Sequence, residues 1–318
     1  MDALDRKILL ELMKNSRTPV TALAKRLRAS REVVNYRISR LVKEGIILNF
    51  VTEIDLEKLG FIGAAVFISI KSAKNEEFKA FLKERGFVSW VAELSGIWNY
   101  GMSIYGRDNT ELDKRFSAIY SRFKEHITGH RFTLHKKNQY FYEKYMGYME
   151  PGISTAKGGN KPDKFIIGRK DKIILREMAK NSRIGAVELA AKAEISAPAA
   201  SQRIRKMERL GIISKYSVFV DISKLSLYQY SVFVSNKKAE ESERLVSYLS
   251  QHPGVSFIAE YIGDPFVEFG VAVDDPYKLR AVLQKIEDAF PNNKIIEISL
   301  FQKEFASIGP PECVFSIA

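Results

Sequence analysis

His126 and His130 stand four residues apart in HITGHRFTLH, and His135 follows five residues later. Two imidazoles at i, i+4 on a helix can share a metal ion, and a histidine beside a carboxylate can move a proton. Here Gly129 falls between the first two, at an expected helix end, and no carboxylate clusters with them. The fourth histidine, His252, is remote in sequence. All four are expected to be solvated, and neither a catalytic nor a metal site is expected. The single cysteine, Cys313 in ECVFSI, reads as a small apolar tail residue and excludes an intramolecular disulfide framework. No Walker A, HExxH or G-x-S-x-G pattern is present, so no cofactor is expected.

The clearer chemistry lies on two helices expected after Ser30 and Ser196, each serine a good N-cap. At 100° per residue, Val34, Ile38 and Leu41 fall inward on the first, and Ala200, Ile204 and Met207 on the second. Outward on the first lie Glu32, Asn35, Tyr36, Ser39 and Lys43, with Arg31, Arg37 and Arg40 along the seam. Outward on the second lie Pro198, Ser201, Gln202, Arg205 and Arg209, flanked by Arg203 and Lys206. Hydrogen-bonding side chains bordered by cations suit base edges in the major groove, with phosphates on either side. Arg37 and Arg203 are expected to be phosphate contacts. A solvated charged face is the plain alternative for any one such helix.

Charge placement favours DNA. The 318-residue chain carries a formal +12. Residues 1–50 hold 11 Lys/Arg against 5 Asp/Glu, and residues 165–216 hold 12 against 5. The rest of the chain is close to neutral, so the positive excess sits in the two helical segments, as in a nucleic-acid binder. A membrane partner is not expected, because no run of 18 apolar residues exists and MDALDRK does not read as a secretory leader. The expected place is the cytoplasm, in association with DNA.

The two segments are copies. Residues 5–59 and 171–225 align without a gap, offset by 166, with 19 identities in 55 positions. These include Asp5/Asp171, Arg37/Arg203, the GII runs at 45–47 and 211–213, and the tetrapeptide KNSR at 14–17 and 180–183. KNSR reads as a helix exit: a cation near the helix's negative pole, then residues suited to leaving it. Three helices precede a β-rich stretch, IILNFVTEID, and a strand pair is expected there, completing a winged helix-turn-helix. Strand and helix patterns then alternate in the order βαββαβ, in both copies, as in a ferredoxin-like domain. The fold class is therefore α+β, two tandem copies of a winged helix-turn-helix domain followed by a ferredoxin-like βαββαβ domain. The expected domains are 1–50 and 51–150, a linker at 151–164, then 165–216 and 217–318. An open sheet would leave one apolar face bare, so the two copies bury these faces on each other or each pairs with another chain.

The motifs LDRKILLEL, LAKRL, VVNYRISRLVKEGII and TEIDLEKLG, with KDKIILREM, AASQRIRKMERLGII and VDISKLSL in the second copy, resemble the Lrp/AsnC (leucine-responsive, feast/famine) transcription regulators. The resemblance covers nearly the whole chain, twice. It implies a DNA-binding winged helix, a sheet domain that dimerises, an amino-acid effector held at subunit interfaces, and homo-oligomers. One chain would then stand for a dimer. The family's Gly-x-x-Asp turn, near the effector site, is changed here: Gly96 is followed by Asn99, and Gly263 by Phe266. Both copies thus lack the carboxylate that an effector's ammonium needs, and the glycines are expected simply to make the turns. The two recognition faces also differ, so an asymmetric operator is expected rather than a palindrome. Two rivals keep the same fold: an enzyme resembling the sirohaem decarboxylases, with histidine as working residue, and a DNA-packaging protein with little sequence preference.

Overall fold

The computed structural model describes residues 1–148, 167–236, 241–304 and 309–316; the expected linker lies outside them. In the first copy the elements are α1 (Ala3–Lys14), α2 (Val20–Leu27), α3 (Arg31–Lys43), β1 (Ile47–Ile54), β2 (Ile62–Ile70), α4 (Asn75–Lys83), β3 (Val88–Ser95), β4 (Tyr100–Gly106), α5 (Asn109–Phe123) and β5 (Ile127–Tyr140). The second copy repeats them as α6 (Arg169–Lys180), α7 (Ala186–Ala193), α8 (Ala197–Arg209), β6 (Ile213–Val220), β7 (Tyr228–Asn236), α9 (Ser242–Gln251), β8 (Val255–Ile262), β9 (Val267–Val273), α10 (Pro276–Ala289) and β10 (Asn293–Glu304). The chain forms two compact units, and each draws on both copies. Residues up to Gly60, 167–221 and 309–316 make the helical unit; 61–148, 222–236 and 241–304 make the sheet unit. The boundaries expected at 50/51 and 216/217 fall inside β1 and β6, because both strands belong to the helical unit.

In the helical unit the expected strand pair forms differently. Each copy supplies one strand, and β1 pairs antiparallel with β6, from Ile47↔Val220 to Ile54↔Ile213. KNSR sits at the centre of this joint. Ser16 and Ser182 are fully buried, and their hydroxyls meet at 2.6 Å. Arg17 donates to the Ser182 carbonyl, and Arg183 returns the bond to the Ser16 carbonyl at 2.5 Å. Arg17 lies over the Tyr216 ring at 5.3 Å and Arg183 over the Phe50 ring at 5.5 Å. Thr52 caps the Met178 carbonyl at 2.7 Å, and Ser217 caps that of Met13 at 2.9 Å. KNSR is a helix exit, as expected, with Asn15 and Asn181 as C-caps. Its polar side chains also satisfy one another across a pseudo-two-fold axis. A copied motif is therefore self-complementary here, as the same patch is in a symmetric dimer.

In the sheet unit both βαββαβ domains form, and their sheets close into one barrel in the order β10-β3-β4-β2-β5-β8-β9-β7. The seams between copies are β5–β8 and β3–β10. Of the two ways to cover the apolar faces, the chain uses the first: each copy covers the other. Phe67 and Phe233, both buried, meet edge to face at 5.0 Å inside. Outside, helices cover each half. Phe78 and Phe123 pack on β2–β4 in the first copy, and Leu249 and Phe290 on β7–β9 in the second. Several interior positions are glycines with rings lying over them. A Cβ on Gly270 would come within 2.3 Å of the Phe257 ring and 2.5 Å of Ser256 Oγ. Gly270→Ala is expected to cost about 1–3 kcal/mol through overpacking, seen as a lower denaturation midpoint. An unchanged midpoint would show that the Phe257 ring moves aside freely.

Candidate nucleic-acid interface

Local chemistry sets both recognition helices. The Ser30 hydroxyl accepts the Val33 N–H at 3.2 Å, and the Ser196 hydroxyl accepts the Ala199 N–H at 3.3 Å. Pro198 sits in the first turn of α8, where its missing N–H is harmless. Before each helix the chain turns through one left-handed residue, Arg28 at φ 53° and Glu194 at φ 54°. Val34, Ile38 and Leu41 are buried, as are Ala200, Ile204 and Met207, so both helices present the expected face outward.

The sequence-predicted contact residues divide into two sets. Arg31, Asn35, Tyr36, Ser39 and Lys43 on α3, with Gln202, Arg205 and Arg209 on α8, are exposed, and Ser201 is partly so; Tyr36 is 64% exposed. Their side chains form no hydrogen bond or ion pair among the described residues. Pro198 is exposed too, and Lys206 is exposed with part of its interactions made within the chain.

Arg37, Arg40 and Arg203 belong to the second set. Arg37 donates to Asp2 and, at 3.0 Å, to Asp5; Arg40 donates to Asp5 at 2.6 Å. Arg203 donates to Asp171 at 2.8 Å. Asp5 and Asp171 are buried, and each also accepts a backbone N–H at its helix start, Asp2 at 3.0 Å and Gly168 at 3.1 Å. These guanidinium groups therefore clamp α3 to α1 and α8 to α6, rather than projecting as phosphate ligands. The physical reason is desolvation: a buried carboxylate needs a charged partner, and the seam arginine is the group within reach. Arg37 beside Asp2 holds that carboxyl down at about 2 and is itself made harder to deprotonate. Sequence reasoning missed the carboxylate partners, although Asp5/Asp171 and Arg37/Arg203 all stood among the repeated identities.

The face that remains carries different chemistry in the two copies. Glu32 in the first turn of α3 is anchored near Ser30, its carboxyl lowered by its own backbone N–H and the Ser30 hydroxyl. On α8 the nearest acid, Glu208, accepts the Tyr216 hydroxyl at 2.7 Å. Gln202, Arg205, Glu208 and Arg209 line one surface cleft. One cation on the second helix of each copy is tied to the first helix of that copy: Arg26 bonds Glu11 at 2.9 Å, and Lys192 bonds Glu177 at 2.5 Å.

The turn residues expected near an effector have structural occupations. Asn99 Oδ1 accepts the Ile70 N–H at 2.8 Å, and its N–H donates to the Ile68 carbonyl at 3.0 Å. Phe266 packs on the core of the second copy, and its N–H donates to the Val234 carbonyl at 3.2 Å. Gly96 takes φ 144° and Gly263 φ 107°, conformations that favour glycine, so both make the turns as expected. A Cβ on Gly96 would lie 3.0 Å from Ser299 Oγ and 3.1 Å from the Ile298 carbonyl.

The histidines do not gather. His130 packs on Phe116 and Tyr120, and His252 lies beside Tyr248. His135 departs from expectation: it is partly buried between the rings of Tyr105 and Tyr261, and that burial pushes its pKa down to about 4. Among the described residues no group of three His, Cys, Asp or Glu could hold a metal ion, and no helix is long and apolar enough to cross a membrane.

Comparison with known proteins bears on the same helices. The sequence model for winged helix-turn-helix DNA-binding domains matches twice, at residues 1–47 and 168–214. The regulator LysM of Saccharolobus solfataricus is 32% identical over 122 residues, 84% of its own length and 38% of this chain. The chain belongs to the Lrp/AsnC family of transcriptional regulators. LrpC of Bacillus subtilis, an HTH-type transcriptional regulator, is 33% identical over 90 residues; the match spans 62% of that protein and 28% of this one. The relatives align with part of the chain, as befits a member that carries the Lrp/AsnC unit twice. Over the whole length the fold is also that of the siroheme decarboxylase NirDL, with a TM-score of 0.64 over 97% of this chain and 94% of that one, at 14% identity. That likeness is one of fold alone.

Proposed function

We propose that this Lrp/AsnC chain is a transcription regulator that binds double-stranded DNA, with α3 and α8 in the major groove and one chain doing the work of a dimer. The observation that carries the reading is the division of side chains on α3 and α8. The inward rows are core, Arg37, Arg40 and Arg203 clamp the helices, and eight exposed polar or basic side chains form no hydrogen bond or ion pair among the described residues. Groups left unpaired on a preformed face are the ones free to meet base edges and phosphates. Because the two faces differ, the operator is asymmetric. The reading needs no enzymatic step and no cofactor, and it places the protein with DNA in the cytoplasm. It invokes no free amino-acid effector, since Asn99 and Phe266 stand where the family places a carboxylate and both serve the fold.

Salt titration tests it. With about six phosphate contacts, affinity for a 30-base-pair duplex should fall on the order of 10³-fold between 50 and 200 mM salt. No binding at 50 mM salt, or binding indifferent to salt, would overturn the proposal.

A further inference from the structure

The two recognition helices can be compared stripe for stripe, because α3 and α8 align at a constant offset of 166. Residues at i, i+3 and i+7 share a narrow band of helix surface, within about 60°. On α3 that band is Tyr36, Ser39 and Lys43; on α8 it is Gln202, Arg205 and Arg209. Asn35 borders the first band, and its counterpart Ser201 is partly buried. The band on α3 therefore offers a phenol and a hydroxyl, with the Asn35 amide at its border and one ammonium at the far end. The band on α8 offers one amide and two guanidinium groups.

The other arginines sharpen this contrast. The guanidinium groups at the edges of the faces, Arg37, Arg40 and Arg203, are committed to Asp5 or Asp171. On α3 the one arginine left on the face is Arg31, at the first position of the helix. On α8 Arg205 stands in the middle of the exposed band with Arg209 one turn on, neither engaged by any described residue. Side chains at the edge of a recognition helix meet phosphates, whereas those in the middle of its face meet the floor of the groove. There a planar guanidinium fits the O6 and N7 atoms of guanine, and a carboxamide fits the N6 and N7 atoms of adenine.

We infer that the two half-sites differ in the base that is read: the first-copy half-site presents adenine to Asn35, and the second-copy half-site presents guanine to Arg205 and Arg209. This rests on the DNA-binding reading above and deepens it. The asymmetric operator then has a stated chemistry.

The test is selection from a random 30-base-pair duplex pool, with the full chain and with its Asn35→Ala and Arg205→Gln/Arg209→Gln variants. Fluorescence anisotropy then measures binding to the enriched duplex and to a random duplex. The unaltered chain should enrich two unlike half-sites, one fixed in adenine and one in guanine. Asn35→Ala should relax the adenine about ten-fold, and the arginine pair should lose the guanine about ten-fold or more, each change confined to one half-site. Identical half-sites in the enriched pool would overturn the inference. So would an arginine variant that keeps the guanine and weakens enriched and random duplexes by the same factor, which would mark phosphate contacts. Binding without enrichment would overturn it and leave DNA binding standing, as a packaging activity. Failure to bind either duplex would overturn the DNA-binding reading with it.

Discussion

Asp5→Ala should lose about 3 kcal/mol of stability, the largest single-residue effect expected in the helical unit. Asp5 is fully buried and receives three bonds: the Asp2 N–H, Arg37 at 3.0 Å and Arg40 at 2.6 Å. Removing its carboxylate leaves two guanidinium groups whose side chains are only 21% and 31% exposed, and breaking such a pair costs more than making it gains. The second copy supplies an internal control. Asp171 receives a single guanidinium, that of Arg203, whose side chain is 40% exposed and so better screened by solvent. Asp171→Ala should therefore cost about 1 kcal/mol. Denaturant unfolding followed by circular dichroism compares the two variants. Equal midpoint shifts would show that the Arg40 bond contributes nothing. No shift from Asp5→Ala would show that both arginines reach water without loss. The same geometry changes what Arg37→Ala would report. Its first effect would be on the docking of α3 against α1, so weaker DNA binding by that variant would not count a phosphate contact.

How far the sequence could be read follows from where each signal lies. The bounds of α3 and α8 were legible because Ser30 and Ser196 are local caps and the apolar rows repeat with helical period. The order βαββαβ was legible for the same local reason. The closed barrel was legible only as a pair of alternatives, because an apolar sheet face states that something covers it and not what. The double use of KNSR lay beyond local reasoning. Its polar residues look the same at a solvated helix exit and at a buried joint, and only the fold brings Ser16 to Ser182. The aspartate clamps were half-legible, since both partners of the Asp5–Arg37 and Asp171–Arg203 pairs recur at one spacing. Asp2 and Arg40 do not recur, their counterparts being Gly168 and Lys206. The polar groups inside the barrel also lack counterparts. Glu268 pairs with Ala259 across β8–β9, while the corresponding strand of the first copy carries Gly101 opposite Ala92.

Those barrel groups give the second large effect, a stability that depends on pH through Glu268. Its carboxylate is 3% exposed and accepts hydrogen bonds from the Tyr261 and Ser231 hydroxyls. Burial is the leading influence and pushes its pKa up to about 7; the two hydroxyls pull it down, Glu297 pushes it up, and Arg131 pulls it down. Arg131 stands 2.9 Å from Glu297, whose side chain is 1% exposed, so that acid already has the nearest cation. For a carboxyl raised from 4.5 to about 7, the folded chain binds the proton more tightly than the unfolded one. The stabilisation is complete below pH 4.5 and is lost as pH rises through 7, about 3 kcal/mol in all. His135, on β5, works in the opposite sense. Its pKa falls from 6.5 to about 4, so its share of stability is present above pH 6.5 and lost as pH falls through 4. His252, also lowered by burial, adds to that side. Between roughly pH 4.5 and 6.5 the two slopes oppose each other, and the unaltered chain should show a plateau there, with stability declining above it. Glu268→Gln keeps the shape while removing the titration; its carbonyl oxygen accepts one hydroxyl and its amide N–H donates to the other. Its unfolding free energy minus that of the unaltered chain should rise by about 3 kcal/mol from pH 4.5 to 8. The plateau should give way to stability that climbs with pH as His135 loses its proton. A flat difference across that range would mean that Glu268 is solvated in the folded barrel, and the closure of the two sheets over it would have to be abandoned.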